Sequence, residues 1–246
     1  MKHRRRIVLT AVVLLAVSTM VYLVHYGLFR DAHHILIYLV GDIAFVPLEV
    51  LLVVIVIEGM LERRDKAERL QKLNMLIGTF FSELGTTLLG DLTESVTNRS
   101  ELAPHLCVRG DWTRKDYQAA ISFAETFDYE VDAGLLDLKS LEERLQDKRD
   151  LLVMMLANPT LLEHGRFTHL LWAIFHLMEE LAARGSFDEL PKTDLAHLAG
   201  DVRRAYALLT REWLYYCRHV QRAYPYIFSI IVRTHPLQER PDAVVR

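Results

Sequence analysis

Two long apolar runs occupy the first quarter of the chain, and patterns of helical period fill the rest. Residues 7–29 carry no formal charge, and residues 35–57 carry only Asp42 and Glu49. Each run is about 23 residues long, which at ~1.5 Å of rise per residue exceeds the ~30 Å hydrocarbon core of a bilayer. The pattern therefore predicts two transmembrane helices. The basic head MKHRRR also fits a secretory signal, but the apolar run outlasts an ordinary signal core and VHYGLFRDAHH offers no small-x-small cleavage site.

Beyond Glu58 the helical pattern continues without a break. Leu70, Leu73, Ile77, Phe80 and Leu84 alternate spacings of three and four, an apolar stripe of about two heptads. The stripe fits a stalk through which copies associate, and equally one face of a bundle helix. Gly78 and Gly85 on one side imply a close helix contact.

Residues 93–113 are polar and broken by Pro104 and Gly110, so they read as a loop. Tyr117, Ile121, Ala124 and Phe127 then share one helical face. Ser140 with Glu143 makes a capping box for a helix reaching about Ala157, and Thr160 with Glu163 repeats it. The run THLLWAIFHLMEELAAR closes at Gly185, and Thr193 or Asp194 caps a last long helix that reaches about Arg222. No period-2 alternation marks a sheet, and no internal repeat stands out.

The expected fold is all-α, a two-span N-terminal transmembrane hairpin followed by a cytoplasmic helical bundle. Residues 1–58 form the hairpin, with spans at about 7–29 and 35–57. Residues 59–92 form a stalk continuing from the second span, 93–236 a bundle of about five or six helices, and 237–246 a disordered tail.

Charge orients this arrangement. Lys2, Arg4, Arg5 and Arg6 precede the first span, and Arg63, Arg64, Lys66, Arg69 and Lys72 follow the second. The positive-inside rule then puts both termini in the cytoplasm, as for a multi-pass protein of the plasma (inner) membrane. Residues 1–58 have net charge +1, which leaves −4 for the remainder of a chain with formal charge −3. A mildly acidic bundle is no footprint for nucleic acid. Cys107 and Cys217 are isolated and lack a C-x-x-C pattern, which fits two buried thiols in a reducing compartment.

The intramembrane acids raise the first chemical question. Asp42 and Glu49 are seven residues apart and lie on nearly one helical face. An ionised carboxylate at that depth costs ~2.5 kcal/mol or more, so each must be neutralised, paired or hydrated. In an antiparallel hairpin Asp42 falls opposite Tyr22, a possible donor, with His25 one turn nearer the outside. Glu49 meets only aliphatic residues, and Pro47 frees the carbonyl of Ile43 between the two acids. Three readings follow: protonated acids bonded between packed helices, rings lining a proton or cation pathway in a homo-oligomer, and contacts with another membrane protein.

Histidines raise the second question. His169, His176 and Glu180 share one face of one helix, and Asp194, His197 and Asp201 share a face of the next. An H-x-x-x-E and an H-x-x-x-D on neighbouring helices are spaced to meet as a mixed imidazole and carboxylate metal site. The same residues also fit surface groups or hydrogen-bonded core residues. Apart from such a metal ion no cofactor is expected. The arginines interleaved in EWLYYCRHVQRAYPYIF also fit contact with an anionic inner leaflet.

No nucleophile triad or phosphate loop appears, so an enzyme is not the leading expectation. The sequence points instead to a membrane-anchored scaffold, sensor or adaptor that self-associates through its second span and stalk. Its partners would be membrane lipid, further copies of itself, and another membrane or cytoplasmic protein. The alternatives are a proton or cation channel lined by the intramembrane carboxylates and a metal-binding helical-bundle enzyme.

Overall fold

A turn of two residues starts the architecture. Arg30 adopts the left-handed conformation at φ 49°, its N–H donating to the Tyr26 carbonyl at 2.9 Å. Asp31 then accepts from the His34 N–H at 3.1 Å. The first residue ends one helix and the second caps the next, so the five-residue connection expected between the spans shrinks to two. The computed structural model describes residues 2–238 and 241–244 and divides into two compact units, Met1–Lys66 and Ala67–Arg246.

The first unit contains α1 (Lys2–Phe29) and the first part of α2 (Ala32–Phe80). Both helices are long and apolar enough to cross a membrane by length and composition. Their apolar side chains are mostly exposed, and among the described residues α1 and α2 share no packed seam. Pro47 lies inside α2 without ending it.

In the second unit the end of α2 turns apolar side chains inward. Leu73, Ile77 and Phe80 are buried, as is Leu84 in the π-helical turn Phe81–Gly85 that follows. Phe80 meets Phe167 edge-on at 5.2 Å, and Phe81 stacks on Tyr216 at 4.7 Å. Gly85 is dictated by this packing, since a Cβ there would lie 2.6 Å from Phe80 Cε1 and 2.7 Å from Phe81 Cδ1. The stripe read as a stalk thus packs within the chain itself from Leu73 onward, and only Leu70 remains largely exposed. The bundle begins near residue 67 rather than 93 because its own helices supply the apolar partners for this segment.

The chain continues through α3 (Thr86–Thr93), the short α4 (Ala103–Leu106) inside the expected loop, and α5 (Arg114–Thr126). A capping box heads α5, with the Thr113 N–H and hydroxyl both donating to Asp116. The helix expected at 140–157 is two, α6 (Leu138–Asp147) and α7 (Arg149–Leu156), broken at Lys148. Asp137 caps α6 by accepting from the Ser140 N–H at 2.9 Å, so the cap lies three residues ahead of its predicted place. Asn158, not Thr160, caps α8 (Pro159–Leu162).

Helices α9 (Gly165–Ala182), α10 (Lys192–Ala223) and α11 (Pro225–Thr234) complete the unit. α10 is its axis, packing against α3, α5, α9 and α11 with Tyr206, Leu209, Trp213 and Cys217 fully buried. The start of the tail is held as well, because Leu237 is buried and the Asp242 N–H donates to the Arg233 carbonyl at 3.0 Å. The disorder expected at residues 239, 240, 245 and 246 lies outside the described residues.

Candidate metal centre

Antiparallel packing of α9 and α10 follows from their apolar faces. Leu170, Ile174, Leu177 and Leu181 on α9, and Leu198, Val202 and Ala205 on α10, are buried together in one core. Beside that seam the i, i+4 pairs His176/Glu180 and His197/Asp201 come onto the same edge. His176 Nε2 lies 3.6 Å from Asp201 Oδ1 and 3.9 Å from Glu180 Oε1. His197 Nε2 lies 3.4 Å from Glu180 Oε2 and 3.4 Å from Asp201 Oδ2. His176, Glu180 and Asp201 offer ligand atoms that all fall within 4.8 Å of one another.

These separations are longer than good hydrogen bonds and fall in the range of ion pairs. The four distances run to both oxygens of each carboxylate, so the group whose ligand atoms converge is His176, Glu180 and Asp201, with His197 beside it at 3.4 Å from either acid. Asp201 Oδ2 is buried with no hydrogen-bond partner, a state that costs about 1–3 kcal/mol unless a ligand satisfies it.

Two arginines orient the acids. Arg204 Nη1 donates to Asp201 Oδ1 at 2.9 Å. Arg184 Nη1 donates to Glu180 Oε2 at 3.0 Å and also to the Glu180 carbonyl, while Arg184 grips Asp194 through both oxygens at 2.7 and 2.8 Å. Hydrogen bonding from Arg184 holds the Glu180 and Asp194 carboxyls below the usual carboxylate range. Each cluster carboxylate therefore has one oxygen bonded to a guanidinium and a second, Glu180 Oε1 or Asp201 Oδ2, available beside the imidazoles. Partners behind the ligands commonly fix their orientation in this way. The residues present suit a borderline-soft divalent ion such as zinc.

The two motifs predicted to meet do meet, but His169, exposed and two turns earlier on α9, is outside the cluster. Sequence reasoning missed Arg184 and Arg204 as its supports, although their spacing of four and three residues from Glu180 and Asp201 was a usable signal. In the first unit Asp42 and Glu49 are exposed, and among the described residues neither has a hydrogen-bond partner. Tyr22 is not joined to Asp42. His25 instead sits by the turn, its ring 4.8 Å from Phe29 and 6.3 Å from His34.

An all-helical chain in two parts, with a mixed imidazole and carboxylate cluster in the second, defines the class of the molecule. The chain belongs to the MJ1433 family. Residues 69–233 match the family described as "Uncharacterized protein MJ1433, C-terminal helical domain", and residues 2–61 match the MJ1433 N-terminal helical domain. A relative of that description from Methanocaldococcus jannaschii is 37% identical over 240 residues, covering 98% of this chain and 96% of its own length. No solved structure matches the chain.

Proposed function

We propose that the protein is a membrane-anchored sensor or adaptor whose helical bundle binds one divalent transition-metal ion through His176, Glu180, His197 and Asp201. The observation that carries this reading is the approach of both imidazoles to both carboxylates at 3.4–3.9 Å, beside the buried Asp201 Oδ2, which accepts no hydrogen bond and lies 3.4 Å from His197 Nε2. The ion would bridge α9 and α10 near the loop that joins them, so its binding would stiffen that end of the bundle. Titration of the metal-stripped full chain in detergent with zinc tests this. About one equivalent should bind, and at a hundredfold excess over the dissociation constant the ion should add about 2.7 kcal/mol of stability. His197→Ala and Asp201→Asn should abolish both effects, whereas equal binding by these variants would refute the reading.

A second reading concerns the apolar helices, and the unpartnered Asp42 and Glu49 favour it. These helices anchor the chain in the inner membrane with both termini in the cytoplasm, and the second span associates with other copies so that its carboxylates pair or share protons. The native mass in mild detergent should then be a defined multimer that Glu49→Leu dissociates. A monomer at all concentrations would end this reading. It would also end the channel alternative, in which the same carboxylates carry protons or cations and liposome flux falls in Asp42→Asn and Glu49→Gln.

A further inference from the structure

A second polar site lies elsewhere in the bundle, in a cleft of about 670 Å³. One wall is apolar, formed by Leu70, Leu73 and Ile77 of α2, and the opposite wall belongs largely to α10. Four arginines from three helices line it: Arg114 on α5, Arg166 on α9, and Arg218 and Arg222 on α10. Among the described residues no carboxylate pairs with Arg114, Arg218 or Arg222, and the acid nearest Arg166 is Glu212, at 3.9 Å. The Arg166 and Arg218 guanidiniums rest on the Tyr215 ring, 4.0 and 5.1 Å from its centroid. That stacking holds them in place rather than leaving them to sweep through solvent.

Three buried polar atoms belong to residues of the same cleft. Tyr117 Oη and His164 Nδ1 have no hydrogen-bond partner, and the third, Glu212 Oε1, is paired only loosely, 3.4 Å from Arg211 Nε and 3.9 Å from Arg166 Nε. Tyr117 is 1% exposed, so bulk water does not satisfy its hydroxyl. Buried polar groups are nearly always bonded, so the Tyr117 hydroxyl at the cleft is free to bond a ligand or water that enters it. Burial raises the Tyr117 hydroxyl and the Glu212 carboxyl above their ordinary values, against the pull of Arg166 and Arg211 on the carboxyl. The cleft offers forked guanidinium donors, the Tyr117 hydroxyl and an apolar wall.

We propose that this cleft binds a phosphate ester, its phosphoryl oxygens received by Arg166, Arg218, Arg222 and Tyr117 and its apolar body laid against α2. Guanidinium forks match the oxygens of a phosphate in pairs, and the volume is that of a small-molecule site. The ester is either a soluble metabolite or a lipid headgroup, and the chemistry of recognition is the same for both.

Calorimetric titration of the full chain with phenyl phosphate in detergent is the first arm of the test. The second compares thermal stability in phosphatidylcholine nanodiscs with and without phosphatidic acid. Saturable binding of phenyl phosphate assigns a soluble ester, and stabilisation confined to phosphatidic acid discs assigns a headgroup. Either result supports the proposal if Arg218→Gln, or the exposed Arg222→Gln where the first variant folds poorly, weakens it tenfold or more. Tyr117→Phe should weaken it severalfold, and His197→Ala, at the metal cluster, should leave it unchanged. No response in either arm, an unchanged response in the arginine variants, or equally tight binding of benzoate would overturn it.

Discussion

The two units of this chain solve opposite problems with similar residues. In residues 1–66 apolar side chains point outward and two carboxylates stand without partners, whereas in residues 67–246 the apolar side chains point inward and the buried acids have arginines beside them. Leu, Val and Ile serve both units, so composition alone does not separate them. What differs is the solvent each surface is suited to. The outward apolar surface of the first unit suits lipid, the reading proposed above, and the inward one of the second suits water.

Substitutions should sharpen that contrast. The largest effect is expected at Trp213, fully buried on α10, where Trp213→Ala should cost about 3–5 kcal/mol in urea unfolding of the bundle. Leu14→Ala, at an exposed position on α1, should leave that unfolding unchanged.

Next comes a pH effect. Burial holds the fully enclosed His235 imidazole down to about 4 from its ordinary 6.5. The unfolded chain therefore binds the extra proton between pH 6.5 and 4. The contribution of this group is complete above pH 6.5 and is lost as pH falls toward 4, by about 3 kcal/mol. Unfolding measured across this window should show the loss in the wild type and a smaller one in His235→Gln. Parallel curves for the two proteins would contradict it.

Gly85→Ala should destabilise by about 1–3 kcal/mol through the clash with Phe80 and Phe81, read as a lower melting temperature. The smallest effect belongs to Arg69, whose ion pair with Glu163 at 3.4 Å is exposed on both sides. Arg69→Ala should change stability by no more than about 0.5 kcal/mol.

The sequence carried the all-helical class because periodic apolar positions such as Tyr117, Ile121 and Ala124 mark a buried face whatever packs on it. It carried the cluster of His176, Glu180, His197 and Asp201 as two half-motifs, since i, i+4 spacing fixes each pair on its own helix. It did not carry the side to which the Leu73–Leu84 stripe turns, because an apolar face reads the same whether covered by a second copy or by α9 and α10. Caps also shifted, as at Asp137, where two oxygen-bearing residues three positions apart, Asp137 and Ser140, competed for one helix start. The arginine cleft was invisible because Arg114, Arg166 and Arg218 come together only through tertiary packing of three helices.

The most direct measurement of the metal assignment is X-ray absorption at the zinc edge of the full chain loaded with one equivalent of zinc. Four nitrogen and oxygen ligands at ~2.0–2.2 Å, two of them imidazole, are predicted, with the imidazole signal falling by half in His197→Ala. A shell of six oxygens, or an imidazole signal that ignores this substitution, would contradict the account.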